Sequence, residues 1–274
     1  MTRTARIVVG LDEDWPTPLG YALAEANRRK VALRLVHAWP ILAPPFGEAG
    51  NMANIEPIEE AAHKLIDDAL DLVHSAGVEV DCVVRPAAPL ALLMEQEPEA
   101  DEFVLGHNEL PWIERIFSGT VSGGLMRTAN CPVLVVPDDW DPTVTRDGGV
   151  VVTIHGDSDS EALLEYGFTR AAERSSKVTV LHVVAPGTLQ ADIDHLEEML
   201  AVIIAKWSKN YPAVEVERQL VESERRAAIL EATKDAELLV VGRPNSKLAR
   251  FALVRPLVIS IAQAASCPVA AIPH

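Results

Sequence analysis

Val104-Leu105-Gly106-His107-Asn108 opens the stretch that decides the fold, which continues through Phe117-Ser118-Gly119-Thr120-Val121-Ser122 to Cys131-Pro132-Val133-Leu134-Val135-Val136-Pro137. This pattern is typical of a strand, a loop that a glycine opens, a helix and a final strand. An altered copy closes the sequence, from Leu239-Val240-Val241-Gly242 to Cys267-Pro268-Val269-Ala270-Ala271-Ile272-Pro273. Glycines between a strand and a helix form phosphate-binding loops in α/β proteins, because helix N-terminal amides and the helix dipole favour an anion. The sequence therefore predicts an α/β unit used twice, with a candidate anion site.

The same order of elements runs through both halves of the chain. In the first half, apolar spacing predicts strands at 7–10, 31–36, 78–84, 103–105 and 133–136, between helices at 19–29, 55–76, 90–96 and 119–128. In the second half it predicts strands at 150–154, 178–184, 214–221, 238–241 and 269–272, between helices at 160–174, 189–209, 224–233 and 256–265. This alternation predicts two tandem, doubly wound α/β domains with parallel sheets and five strands each. An acidic linker rich in proline and glycine separates them, so the predicted domains are residues 1–138 and 148–274.

Composition and charge narrow the class of protein. Forty acidic and 24 basic side chains among 274 residues give a formal net charge of −16. Such a surface repels nucleic acid and anionic membranes, so neither is expected as a partner. The sequence has no apolar run of about 18 residues and no signal-peptide pattern before the first strand, so a cytoplasmic protein is expected. The three cysteines form no metal-ligand spacing, and Cys131 and Cys267 are predicted to be small buried packing residues.

Short motifs recur in order along nearly the whole chain. The first half carries Ile7-Val8-Val9-Gly10-Leu11-Asp12, Leu35-Val36-His37, Val104-Leu105-Gly106, Gly119-Thr120-Val121-Ser122 and the strand from Cys131 to Pro137. The second half carries Leu181-His182-Val183-Val184, Val240-Val241-Gly242 and Cys267-Pro268-Val269. Together they resemble the universal stress protein family in its tandem, two-domain form. The resemblance implies a cytoplasmic stress-response protein whose domains pair through their terminal strands as an intramolecular pseudo-dimer.

Members of that family that bind ATP carry the pattern G-x2-G-x9-G-[ST]. In the first half Gly106 and Gly119-Thr120 match this pattern, while Glu109 stands at the middle glycine. In the second half Gly242 matches, but the later positions hold Asn245 and Arg255-Pro256. The resemblance therefore implies that the first domain binds ATP or a related nucleotide, with Mg²⁺, and that the site of the second domain is degenerate.

The resemblance assigns the nucleotide site to three places in the first domain. The assigned residues are Leu11, Asp12, Gly106, His107, Gly119, Thr120, Val121 and Ser122. Asp12 corresponds to the aspartate that the family places near the nucleotide. A helix start with the hydroxyls of Thr120 and Ser122 can hold an anion. Glu109, in contrast, removes easy access to positive φ and adds a carboxylate beside the expected phosphates.

Each of these assignments has a purely structural alternative. The glycines and hydroxyls can form a tight strand–helix turn without a ligand, and Asp12 can cap a turn. The two isolated histidines, His37 and His182, are predicted to be hydrogen-bonded structural residues. The basic pair Arg28-Arg29 is predicted to lie on a solvated helix face.

Three functions follow from these alternatives. The first is a stress-response protein that binds an adenine nucleotide for regulation. The second is a tandem scaffold that has lost nucleotide binding and acts through protein–protein contacts or self-association. The third is a nucleotide-hydrolysing enzyme, for which the sequence offers no G-x-S-x-G, H-E-x-x-H or P-loop lysine.

Overall fold

The computed structural model describes residues 6–39, 56–107, 121–154, 160–243 and 257–273. Within these ranges the chain forms two α/β units whose strands join in one ten-stranded sheet. Several residues on which the sequence analysis depends lie outside the described ranges: Glu109, Gly119, Thr120, Asn245, Arg255 and Pro256.

The first unit alternates strands and helices along the chain. Its elements are β1 (Arg6–Gly10), α1 (Pro16–Arg29), β2 (Ala32–Trp39), α2 (Glu56–Ser75), β3 (Val80–Pro86), α3 (Pro89–Met94), β4 (Glu102–Gly106), α4 (Val121–Thr128) and β5 (Val133–Val136). The strand order is β3-β2-β1-β4-β5, and all of these strands are parallel. Because the chain fills one side of β1 before it crosses to the other, β1 and β4 flank a topological switch point.

The second unit repeats this arrangement. Its elements are β6 (Val150–Thr153), α5 (Ser160–Arg174), β7 (Val178–Val184), α6 (Gln190–Asn210), β8 (Val216–Glu222), α7 (Arg225–Ala232), β9 (Leu238–Arg243), α8 (Leu257–Ala262) and β10 (Val269–Pro273). The strand order is β8-β7-β6-β9-β10, again parallel, so β6 and β9 flank the second switch point. The predicted fold class, two doubly wound α/β units in tandem, is confirmed. The largest departure among the strands of the first unit is β2, which continues to Trp39 because its pairing with β3 extends to Pro86.

Central strands such as β1 and β5 are almost entirely apolar because helices cover both faces of the sheet. In β1, Ile7 and Val9 belong to the core cluster on one face, and Val8 belongs to the cluster on the other. All three side chains are fully buried. Alternation of side chains along a strand therefore supplies both cores from one short run.

An antiparallel seam between β5 and β10 joins the two units. Leu134 lies opposite Ala270, and the pairs on either side of it are symmetric, Val133 with Ala271 and Val135 with Val269. The predicted pairing of the halves through their terminal strands is thus observed within one chain. This pairing also covers what would otherwise be two exposed apolar edges.

The buried Arg243 crosses this seam. It ends β9 in the second unit, and its guanidinium donates to the carbonyl oxygens of Ala129 and Cys131 in the first, the latter at 3.0 Å. Ala129 directly follows α4, so the arginine caps carbonyl groups at the C-terminal end of that helix. A cation at this position also complements the helix dipole.

The linker between the units packs against them through Trp140. This side chain contacts both core clusters, and the guanidinium of Arg146 lies 3.7 Å above its ring centroid. The linker therefore joins the two units through specific contacts as well as through the chain.

Gly149 is a strict requirement where the linker enters β6. Its φ is +63°, and an added Cβ would lie 2.4 Å from the carbonyl oxygen of Lys177. We expect Gly149→Ala to lower the free energy of unfolding by about 1–3 kcal/mol, because it combines backbone strain with a clash against fixed backbone. The control is Gly20→Ala in α1, where an added Cβ meets nothing within 4 Å. This control should raise stability by up to about 1 kcal/mol through helix propensity. Equal effects of the two variants in urea unfolding would contradict the prediction.

Candidate functional site

The C-terminal ends of β1 and β4 meet at the first switch point. Val9 pairs with Val104 in parallel register. Two residues further along each strand, Leu11 follows β1 beside Gly106, the last residue of β4. Ligands of open α/β sheets bind at this edge, outside the carboxyl ends of the strands. The structure thus brings four predicted site residues to one edge: Leu11, Asp12, Gly106 and His107.

In each unit one histidine forms a hydrogen bond with the residue that follows the first strand. The Leu11 amide donates to the Val36 carbonyl oxygen at 2.9 Å, and His37 Nδ1 donates to the Leu11 carbonyl oxygen at 2.9 Å. In the second unit His182 makes a hydrogen bond with the backbone of Ile154, and burial lowers its pKa. The prediction that both histidines are hydrogen-bonded structural residues is therefore confirmed.

Asp12 caps the turn that leads into α1. Its Oδ1 accepts a hydrogen bond from the Asp14 amide at 3.0 Å. The structural alternative for this residue is thus observed for one carboxylate oxygen. The turn fixes the carboxylate beside the end of β1, where a ligand at the switch point would lie.

Gly106 and His107 leave β4 toward the linker. The His107 amide donates to the Val136 carbonyl oxygen at 2.9 Å, and its Nδ1 lies 3.9 Å from Asp138 Oδ2. A Cβ on Gly106 would meet only Pro18, at an ordinary contact distance of 3.5 Å. Packing within the described ranges therefore does not require a glycine at this position.

The predicted helix start is only partly covered by the described residues. Val121 and Ser122 lie in the first turn of α4 as it is described, and Ser122 is buried. Gly124 lets α4 approach α3 closely, since an added Cβ would lie 2.6 Å from Leu90 Cδ2. The helix between β4 and β5 therefore packs closely against α3.

The described residues show neither a cluster of metal ligands nor a membrane-spanning helix. Across the ranges that the structure describes, no three His, Cys, Asp or Glu side chains are grouped so that they could hold a metal ion. No helix within these same ranges is long and apolar enough to cross a membrane.

Cys267 is a buried packing residue, as predicted, and Cys131 packs against the same apolar cluster although it is only partly buried. Cys267 is fully buried and Cys131 is partly buried, and both precede a strand of the seam. Burial raises the pKa of each thiol to about 12. Both are therefore thiols rather than thiolates at neutral pH, which makes them poor nucleophiles.

A group of buried charges between α1 and α5 is the feature that the sequence analysis missed. Arg170 Nη2 and the Tyr166 hydroxyl, both on α5, donate to Glu102 Oε2 at 2.8 and 2.9 Å. Glu102 is 1% exposed, and it also accepts from Arg29. The prediction that Arg29 lies on a solvated helix face is wrong, because the C-terminal end of α1 lies over the buried start of β4. Arg28 is one-third exposed and pairs with Glu25.

A second buried carboxylate extends this group. Glu25 Oε1 lies 2.8 Å from Arg174 Nη2, which also donates to the Tyr21 hydroxyl at 2.9 Å. We call the whole set the α1–α5 polar interface; its members are Tyr21, Glu25, Arg29, Glu102, Tyr166, Arg170 and Arg174. The signal that could have found it is the presence of charged residues at helix positions that face the other copy in the repeat.

The α1–α5 polar interface keeps the Glu102 carboxylate ionised. Burial raises the pKa of Glu102, but the charges of Arg170 and Arg29 outweigh this effect and bring the pKa below its usual value. Burial and the nearby Glu102 raise the pKa of Tyr166, so this phenol keeps its proton and acts as a donor. Opposite charges at this distance are strongly coupled once water is excluded.

Comparisons with known proteins agree with this architecture. A sequence model of the "Universal stress protein family" matches residues 3–137 and again residues 149–273. "Universal stress protein Rv2623" of Mycobacterium tuberculosis (strain ATCC 25618 / H37Rv) is 28% identical over 288 residues, which cover 96% of this chain and 94% of the relative. A universal stress protein of Mycolicibacterium smegmatis is 25% identical over 282 residues, covering 96% and 95%.

A solved structure extends the comparison to the fold. The crystal structure of a universal stress protein from Archaeoglobus fulgidus DSM 4304 has a TM-score of 0.76, covers 98% of this chain and 96% of its own, and is 16% identical. At this identity the similarity concerns the fold alone.

Proposed function

Since the chain belongs to the universal stress protein family, we propose that its first domain, residues 1–138, binds an adenine nucleotide at the β1–β4 switch point. The nucleotide regulates the protein and is not turned over. The observation that carries this proposal is the placement of Leu11 and Asp12 beside Gly106 and His107 at the one edge of the sheet where such folds bind ligands.

Backbone groups supply the phosphate contacts in this proposal. A protein with a net charge of −16 does not attract an anion through its overall field. Amides at a helix N-terminus provide the local attraction instead, and Gly119, Thr120 and Ser122 are the residues that the sequence assigns to it. Mg²⁺ enters with ATP, bound through its phosphates, because magnesium is usually held by few protein ligands together with substrate phosphates.

The second domain, residues 148–274, serves as a scaffold in this proposal. Its sequence has Arg255-Pro256 where the helix start should bind phosphate, and proline has no amide to donate. Arg243, which follows Gly242 at the second switch point, donates to carbonyl groups across the seam. Its guanidinium is thus engaged in holding the two units together.

Glu109 is the residue that tests the site most directly. We expect Glu109→Gly to raise the affinity for ATP at least about tenfold, because a carboxylate a few ångströms from a phosphate opposes binding by more than 1 kcal/mol at an effective dielectric constant of about 20. Glu109→Gln separates the charge from the backbone requirement, since it removes only the former. Titration calorimetry with ATP, with and without Mg²⁺, measures all three proteins.

The control for this titration is Glu231→Gln, which removes a carboxylate that is 71% exposed on α7 in the second domain. It should leave the affinity unchanged. If neither the native protein nor Glu109→Gly binds ATP, AMP or ADP, nucleotide binding is excluded and the scaffold function takes its place. That second candidate is favoured by Asp12, one of whose oxygens already caps a turn.

A further inference from the structure

Helices α1 and α5 occupy equivalent places in the two units and pack against each other. The sequences from Gly20 to Arg29 and from Glu165 to Arg174 align without a gap. The aligned polar pairs are Tyr21 with Tyr166, Glu25 with Arg170, Arg28 with Glu173, and Arg29 with Arg174. Two of these pairs reverse the sign of the charge. The two halves are therefore copies in fold but complementary in charge on this face.

In the hydrogen bonds between the units, one unit supplies the carboxylates and the other supplies the arginines. Both carboxylates, Glu25 and Glu102, belong to the first unit, and both arginines that reach them, Arg170 and Arg174, belong to the second. The acceptor oxygens are almost completely withdrawn from water, since the two carboxylate side chains are 2% and 1% exposed. A charge buried at such a site is stabilised by an opposite charge and strongly destabilised by a like charge.

The symmetry of the seam determines which side chains would meet if two like halves paired. The β5–β10 register is symmetric about Leu134 and Ala270, which align with each other in the repeat. The units are therefore related by an approximate twofold axis. A second copy of either half could form the same backbone pairing, so side chains must decide which half is accepted.

Pairing of like halves would place equal charges together at the α1–α5 polar interface. In a pair of first units, the residue equivalent to Arg170 is Glu25, so Glu102 would face a second carboxylate. In a pair of second units, the residue equivalent to Glu25 is Arg170, so Arg174 would face another guanidinium. Leu238 aligns with Glu102 and would offer no acceptor.

We propose that the α1–α5 polar interface is a recognition surface whose partner is the other half of the same chain and which rejects a like half from a second chain. Backbone pairing across the seam accepts either half, and the charges at positions 25, 102, 170 and 174 select the unlike half. A chain whose two halves are paired with each other must then associate with another chain through a surface other than this face and the seam.

The test converts the second half into a copy of the first on this face, in the full-length protein. The variant Arg170→Glu/Glu173→Arg carries the acidic and basic residues of the first half at the aligned positions. We expect a lower urea midpoint than that of the native protein, because a carboxylate then faces Glu102. We expect no rise of the light-scattering mass beyond that of the native protein, because like faces oppose each other between chains as well. The control Lys64→Asp/Asp68→Lys reverses an exposed pair on α2 and should match the native protein in both measurements.

Single substitutions separate charge from packing if the converted protein does not fold. Arg170→Lys, Arg170→Gln and Arg170→Glu should lower the urea midpoint in that increasing order, and Glu102→Gln should lessen the effect of Arg170→Glu. Equal effects of the three, or a Glu102→Gln background that changes nothing, would show that only the volume of Arg170 matters and would overturn the proposal. A converted protein with the native urea midpoint would overturn it as well.

Discussion

Replacing Glu102 by alanine should lower the free energy of unfolding by about 3–5 kcal/mol, because it removes the carboxylate that two buried guanidinium groups contact. Arg29 and Arg170 are 11% and 7% exposed, and both donate to this side chain. Arginine does not release its proton inside a protein, so neither group can become neutral to avoid the cost. The Tyr166 hydroxyl also loses its acceptor.

Urea unfolding followed by circular dichroism measures this loss, and Lys64→Ala provides the matched control. Lys64 and Asp68 form an ion pair on α2 in which the side chains are 75% and 54% exposed. Exposed pairs of this kind contribute about 0–1 kcal/mol. A loss for Glu102→Ala no larger than that of the control would show that the α1–α5 polar interface does not hold the units together.

The stabilising effect of Glu102 should depend on pH, and Glu102→Ala measures this dependence. The folded-state pKa of Glu102 is lowered, so its stabilising effect is fully present above the unfolded-state value of about 4.3 and is lost as the pH falls through the folded-state value. The difference in stability between the native protein and Glu102→Ala should therefore be constant near neutral pH and should shrink in acid. A difference that grows in acid would contradict the assignment of an ionised Glu102.

Replacing Phe168 by alanine should cost about 3–5 kcal/mol, the usual range for truncating a fully buried aromatic side chain. Phe168 lies on the inner side of α5 and is 0% exposed. Its ring centroid lies 5.7 Å from that of Trp207 and 5.5 Å from that of Tyr211, both at the C-terminal end of the long helix α6. The substitution would leave a cavity between two helices and the sheet.

The control for this prediction is Val202→Ala on the outer side of α6, where the valine is 72% exposed. It should change the free energy of unfolding by no more than about 0.5 kcal/mol. Phe168→Leu should fall between the two, because leucine fills part of the volume. If Phe168→Ala and Val202→Ala unfold at the same urea concentration, the aromatic cluster does not stabilise the second unit.

The fold could be predicted from the sequence because its signals are local. Runs such as Ile7-Val8-Val9 and Val133-Leu134-Val135-Val136 are short, apolar throughout and separated by helical spacing. This pattern is typical of a parallel sheet covered on both faces. The repeat then indicated that the terminal strands are equivalent, which made their pairing a reasonable expectation. Local patterns of this kind can be recognised in a sequence without knowing which elements pack against them.

The buried charges could not be predicted in the same way. Arg29 stands at the end of an amphipathic helix next to another arginine, and Glu102 stands at the start of a strand, both ordinary places for solvated charges. Their burial comes from the contact between units, which is set by the seam far along the chain. Aligning the two halves on their own helices, with attention to Glu25 and Arg170, would have revealed the reversal of charge.

The candidate site was predicted in part. The edge at which Leu11, Asp12, Gly106 and His107 gather follows from the order of strands, and the structure places them there. The role of Asp12 as a turn cap was one of two open alternatives, and hydrogen bonding to Asp14 supports it without removing the other. The effect of Glu109 stays a prediction, because that residue lies outside the described ranges.

The antiparallel seam gives the protein two poles. Strands β1 and β4 run parallel to β5, while β6 and β9 run parallel to β10, so the two switch points open in opposite directions along one continuous sheet. A partner docked over one pole cannot touch the other without wrapping around the molecule. Arg243 lies at the second of these poles, and its hydrogen bonds from the end of β9 to the end of α4 give the first unit a direct polar contact with that pole.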